Sequence, residues 1–233
     1  MFLDSTITVS KLRKKMKKIL LIFLFVTSFT NAQYTIDGTL TETLKTDWII
    51  LYKINGGKQK FIANTTIKKE TIIVEGKNTS IGTFRFTLPK DTETGSYRVT
   101  YKQKGAGFVD FIFNKENIAF AFNPDYPEES VLFSKSIENK IYQNYLDDIS
   151  QKQQKLDAIQ VAVLKDTSLN LSNEYKIALN ELNTVQNQYL KMAKDMYVSP
   201  FIRATLRKNP SEIIKEPRGY MSHLKTTFLD NMD

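Results

Sequence analysis

The stretch FVDFIFNKENIAFAF, residues 108–122, decides the reading of the fold. Apolar residues fall on every second position at Val109, Phe111 and Phe113, and again at Ile118, Phe120 and Phe122. A period of two puts each set on one face of a strand. The tetrad between them, Asn114-Lys115-Glu116-Asn117, is polar and turn-forming, so the two runs read as a β-hairpin. Four of its phenylalanines sit on inward faces, a large apolar area for a sheet to close over. The signal concerns packing and names no chemistry.

Working outward, residues 34–41 alternate around Asp37-Gly38, a bend or bulge. Residues 47–54, DWIILYKI, form a strongly apolar strand with the single tryptophan, Trp48. Asn55-Gly56-Gly57 breaks it and residues 58–66 resume, a second hairpin. Short strands are predicted at 70–74, 83–88 and 97–102, punctuated by Gly76, Asn78, Gly82, Pro89 and Gly95 at sandwich spacing. Asn123-Pro124-Asp125-Tyr126-Pro127 reads as loop, and 130–133 as a last strand.

The period then becomes helical. Ile137, Ile141, Tyr145, Ile149, Leu156, Ile159 and Val163 lie on or near one helix face, with Ser136 as N-cap. The polar run 165–171 ends that helix. Ser172 caps a second, carrying Tyr175, Leu179, Leu182, Val185, Tyr189 and Met196; together they predict an antiparallel αα-hairpin. Ser199-Pro200 starts a third helix that ends near Asn209-Pro210, and Pro217 begins a last one to about residue 229. The fold class is therefore α+β: an N-terminal antiparallel β-sandwich, residues 33–134, followed by a helical segment, residues 135–233.

Upstream, residues 16–33, MKKILLIFLFVTSFTNAQ, have the layout of a signal peptide. Lys17 and Lys18 lead into an apolar run at 19–26, and Thr30-Asn31-Ala32 supplies small residues where signal peptidase reads. Cleavage is expected between Ala32 and Gln33. The apolar run is too short to span a bilayer comfortably, which argues against an uncleaved anchor. Met16 makes the more ordinary start, with residues 1–15 as an extended n-region or a start assigned too early. These features predict export to the periplasm or cell envelope, with membrane contact only transiently through the leader.

The 233 residues carry a net charge of +8, which invites a nucleic-acid reading. Before Ala32, however, six basic residues (Lys11, Arg13, Lys14, Lys15, Lys17, Lys18) stand against Asp4, leaving 27 of 33 basic and 24 of 25 acidic residues downstream. Without a basic stripe on the mature chain, nucleic-acid binding has no footing. The hydrophobic content of 41% suffices for a folded core. There is no cysteine, hence no disulfide and no lipobox cysteine, and one histidine, His223, is too few for a zinc site of the usual kinds.

Each candidate site has an ordinary reading beside it. Ser222-His223 suggests hydrolysis, but a triad's members meet in space and no Gly-x-Ser-x-Gly elbow is present, so a helix-surface histidine is the reading. Asp125, Glu128 and Glu129 are hard ligands for calcium but fit no calcium loop, and read as a solvated turn. Asn64-Thr65-Thr66 and Asn78-Thr79-Ser80 match the glycosylation pattern but follow a bacterial-type leader, and read as turn and strand. Tyr97, Tyr101, Phe108 and Tyr126 form either a sugar- or peptide-binding platform or core, and Tyr142, Tyr145 and Tyr189 either core or a docking face. Gly105-Ala106-Gly107 precedes a strand, where a phosphate loop needs a helix. No catalytic residue, cofactor or metal is assigned.

Several stretches resemble a known family: the opening strand Tyr34-Thr35-Ile36-Asp37-Gly38-Thr39-Leu40, WIILYKI, Gly82-Thr83-Phe84-Arg85-Phe86, GFVDFIFNKENIAFAFNP, and Ser136, Asn139, Tyr142 and Tyr145 at three-residue steps. The chain resembles the N-terminal domain of unknown function that precedes thioredoxin-like domains in exported thiol–disulfide interchange proteins of Gram-negative bacteria. The resemblance spans essentially the whole chain after the leader. In that family a Cys-x-x-Cys in the C-terminal domain does the redox work, and this chain has no cysteine onto which the role can be carried. The helical pattern running up to Asp230-Asn231-Met232-Asp233 then reads as the N-terminal part of a longer protein or a truncated product. The expected function is a non-catalytic accessory module with a protein partner or a covalently continuing thioredoxin-like domain. The alternative is a stand-alone periplasmic binding protein for a glycan or peptide.

Overall fold

A computed structural model of the chain describes residues 33–44, 46–102 and 107–227. The expected leader and Ala32 lie outside these residues; Gln33 is the first of them and is exposed. Among the described residues the chain forms nine strands in two sheets and five helices, an α+β architecture. No described helix is long and apolar enough to cross a membrane.

The strands are β1 (Tyr34–Leu40), β2 (Trp48–Asn55), β3 (Lys58–Thr66), β4 (Lys68–Val74), β5 (Lys77–Leu88), β6 (Gly95–Thr100), β7 (Phe108–Phe113), β8 (Ile118–Phe122) and β9 (Leu132–Lys135). One sheet has the order β4-β5-β1-β8-β9, the other β3-β2-β6-β7. The second sheet is antiparallel throughout, but in the first β1 and β8 run parallel, Ile36 beside Ile118 and Leu40 beside Phe122. The expected all-antiparallel arrangement is corrected at that pair.

A second correction falls on the stretch 108–122. β7 and β8 do not pair as a hairpin: β7 joins β6 in one sheet, and β8 joins β1 and β9 in the other. Residues 114–117 carry the chain from sheet to sheet, so the two apolar faces meet across the core. Phe111 and Phe120 pack with their rings tilted, centroids 5.7 Å apart. Period two specifies which residues face inward and says nothing about whether two strands pair or oppose each other. The crossing is tied down by its polar residues. Lys115 takes a positive φ of 56° and its ammonium reaches the carbonyls of Lys90 and Thr92, while Asn117 Oδ1 accepts from the Thr35 amide at 2.9 Å.

One face of each sheet feeds a single apolar cluster. Ile36, Leu40, Phe84, Phe86, Phe120 and Phe122 meet Ile49, Leu51, Tyr97, Val99, Phe111 and Phe113. Each such side chain contributes roughly 1.5–3 kcal/mol by leaving water. Gly38 serves this packing directly, since a Cβ there would lie 1.9 Å from the Phe84 ring.

The turns follow local chemistry. Gly56-Gly57 links β2 to β3 as expected, and Glu75-Gly76, with φ of 49° and 77°, links β4 to β5. Both φ values are positive, as a two-residue loop matched to strand twist requires. β5 starts at Lys77, six residues before the predicted 83, because Asn78 and Gly82 sit inside the strand.

The helices are α1 (Pro127–Ser130), α2 (Ile137–Lys165), α3 (Ser172–Met192), α4 (Ser199–Ala204) and α5 (Pro217–Thr227). α1 occupies ground read as loop and strand, and moves the last strand to β9. Asp148 meets Tyr189 while Lys155 meets Glu181, so α2 and α3 run antiparallel. Ser136 caps α2 as predicted, accepting from the Asn139 amide at 3.2 Å. Ser172 and Ser199 are first helical residues rather than caps; the capping positions fall on Leu171 and Val198, without side-chain cap bonds. α4 stops at Ala204, well short of Asn209.

Candidate functional site

A cleft of about 540 Å³ opens where α2 and α4 lie against the second sheet and β9. Its position follows from how α2 is fixed at its first turns. Asn139 lies against the free edge of β7 and pairs with Ile112 as another strand would. The Ile112 amide donates to Asn139 Oδ1 at 2.8 Å, and Asn139 Nδ2 donates to the Ile112 carbonyl at 2.7 Å. The same Nδ2 reaches Ser136 Oγ at 2.7 Å. Ser136 holds a φ of 104°, unusual for a residue with a side chain. It is over-determined by its bonds, since its hydroxyl also donates to Glu116 Oε1 at 2.5 Å.

Glu138, the neighbour on α2, is buried and gathers the start of α4. Its carboxylate accepts from the Tyr197 amide at 3.1 Å, the Val198 amide at 2.7 Å and Asn114 Nδ2 at 2.6 Å. A carboxylate at a helix N-terminus satisfies orphan donors and complements the dipole. Thus α2 fixes the two residues that lead into α4, whose N-cap position has no side-chain cap of its own. Tyr145, on the same face, is fully buried, stacks near Tyr142 and bonds the Thr205 hydroxyl at 2.8 Å. The residues Ser136, Asn139, Tyr142 and Tyr145 therefore share one task, docking α2 onto β7 and α4.

Above this anchoring the cleft has apolar walls from Val131, Leu132, Tyr142, Leu146 and Phe201. Leu132 is 68% exposed and Leu146 41%, so the apolar surface is open to a partner. Carboxylates stand around it: Asp110, Glu128, Glu129 and Asp147, all exposed. Asp110 is neutralised by a bidentate pair with Arg98, at 2.6 and 2.7 Å. The other three form no salt bridge among the described residues. Such a surface can hold an apolar ligand that carries positive charge.

The candidates named from sequence separate clearly. Tyr97 and Tyr101 are interior, donating to the carbonyls of Glu93 at 2.6 Å and Pro124 at 2.9 Å. Burial pushes each phenol up to about 12. Phe108 lies under the Arg98 guanidinium, 3.6 Å from ring centroid to carbon, and Tyr126 is 65% exposed. The four therefore form no common platform. Tyr142 and Tyr145 do come together beside the cleft, and Tyr189 packs edge-on against Tyr145.

His223 is half-buried on α5, its Nε2 2.9 Å from the Lys208 carbonyl oxygen, a structural contact. Asp125 closes an Asx turn, its amide donating to Asn123 Oδ1 at 2.9 Å, and no described cluster of His, Asp or Glu could hold a metal. Asn64 lies on β3 and Asn78 on β5, both exposed. Gly107 leads into β7; Gly105 and Ala106 lie outside the described residues. With no cysteine, this chain itself cannot perform thiol–disulfide chemistry. Sequence reasoning missed the buried amides and Glu138. No family model matches the chain, and comparison with curated proteins and with solved structures returns no match.

Proposed function

We propose that this chain is a non-catalytic, exported accessory module, a β-sandwich with a helical segment docked on one sheet, and the N-terminal part of a thioredoxin-like thiol–disulfide oxidoreductase. The observation that carries the reading is the cleft between α2, α4 and the second sheet, apolar in its walls and acidic at its rim. It has a binding surface's composition: an exposed apolar patch rimmed by polar groups marks interaction. The leader-like residues 16–33 support export, and the absence of cysteine assigns any redox chemistry to another domain. In this reading the occupant is a thioredoxin-like domain, in the same polypeptide or in a partner, offering apolar and basic side chains to the cleft.

The test places a photo-crosslinking amino acid at Leu132 or Leu146 in cells producing the protein, and identifies the adduct by mass spectrometry. An adduct or intramolecular link to a domain carrying Cys-x-x-Cys supports the reading. Adducts confined to proteins without that motif would overturn it. A rise in melting temperature with glycan or cysteine-free peptide, and no such adduct, assigns the protein to small-ligand binding instead, because a ligand that binds only the folded state must stabilise it.

A further inference from the structure

The second surface with a partner's signature lies at the far edge of the other sheet. β4 ends the five-stranded sheet, and all seven of its residues are exposed. It pairs with residues 77–83 of β5, whereas β1 pairs with β5 only from Gly82 to Leu88. The β4–β5 ribbon thus extends beyond the strand that supports it. A two-stranded ribbon alone is marginal in water. This one also presents Ile72, Ile73 and Val74 at 39%, 75% and 45% exposure, on both of its faces. Natural edge strands are blunted by charge, proline or bulges. Lys68, Lys69 and Glu70 do this at one end of β4, and the run Thr71 to Val74 has none of these devices.

We propose that β4 is a self-association edge, along which two copies of the chain pair antiparallel about a two-fold axis through Ile72. The strand's own charge order selects a second copy as the occupant. Lysines precede the apolar run and Glu75 follows it. Antiparallel pairing about Ile72 sets Lys69 opposite Glu75 of the second copy, twice by symmetry, and Thr71 opposite Ile73. Residues that face one another then share parity, as an antiparallel ladder requires. Parallel pairing of identical strands would set lysine against lysine. The two-fold closes the assembly, joining two five-stranded sheets into one of ten strands without growing a fibre. The contact is short compared with stable dimer interfaces, so the dimer is weak and concentration-dependent.

The experiment is sedimentation of the full chain, expressed from its own N-terminus, across micromolar to millimolar concentration. A monomer–dimer equilibrium is expected. Lys69→Glu should raise its dissociation constant roughly two- to thirty-fold, and adding Glu75→Lys in the same chain should restore it. Both positions are exposed, and unchanged circular dichroism checks that the variants fold. Because the chain has no cysteine, Ile72→Cys places one thiol on the proposed axis; a short bis-maleimide should link two copies there and not through Lys60→Cys on β3. A monomer at all concentrations overturns the proposal. So does a dimer indifferent to Lys69→Glu, or one linked equally well through Lys60→Cys.

Discussion

Asn139 concentrates more of the structure's stability than its polarity suggests. Its amide satisfies both backbone groups of Ile112 on a strand edge that is covered by α2 and closed to water. Asn139→Ala leaves a buried N–H and a buried C=O without partners, and a buried unpaired group costs about 1–3 kcal/mol. The variant should therefore lose about 2–4 kcal/mol in urea unfolding; a loss below the scatter of surface variants would show that water takes over both bonds. The buried phenols set a pH limit. Tyr97, Tyr101 and Tyr175 are held up to about 12 by burial, against an ordinary value of 10.0. Between those values the unfolded chain has released protons that the folded chain retains, so the slope of unfolding free energy with pH is negative. Stability present below pH 10 should fall as pH rises through 10 towards 12. Tyrosinate absorbance should go on rising well above pH 10 as these three phenols ionise; a titration complete near 10 would contradict the buried assignment.

At the scale of elements, α4 depends on a residue outside itself. Six residues do not hold a helix in water, and the α4 N-cap position is Val198. The amides of Tyr197 and Val198, which lead into it, are held by Glu138 on α2. Glu138→Ala should cost about 2–4 kcal/mol, because the bonds lost are to a charged group and a buried amide is orphaned. Amide exchange should quicken first at residues 197–204; uniform quickening over α2 would indicate that α2 itself is what loosens. This dependence was invisible in sequence, because a carboxylate at the second position of a helix reads as solvated. The elements were legible where a local rule decides them: the Gly56-Gly57 turn, Ser136 as cap, and the apolar faces of β7, β8 and α2. Pairing was less legible. FVDFIFNKENIAFAF reads the same whether its halves pair or oppose each other, and Asn78 and Gly82 looked like breaks in what is one strand. The cleft was the least legible, since its lining comes from seven separate elements.

On the scale of the molecule, sheets and helices share a boundary through β7. Val109, Phe111 and Phe113 face the core between the sheets, while Ile112 faces Tyr145, Val198 and Ile202 on the helical side. One strand thus lies in two cores, and its edge hydrogen bonds end on α2. The helices are not free of the sheets either. α2 carries Gln160, which pairs with both backbone groups of Ile214, and Tyr175 on α3 donates to the Pro210 carbonyl at 2.9 Å. The segment after α4 is therefore held by α2 and α3, and α2 in turn by β7. Cooperative unfolding follows, despite the change of period at residue 136. Far-UV circular dichroism, dominated by the helices, and fluorescence of Trp48 on β2 should report coincident urea transitions with equal midpoints and slopes. A fragment ending at residue 135 exposes Ile112 and leaves the β7 edge unpaired. Such an edge is a template for aggregation, so the fragment should self-associate or remain unfolded. Two separated transitions, or a monomeric and cooperatively folded fragment, would show that the sheets form their own unit and that Ile112 is a contact between independent parts.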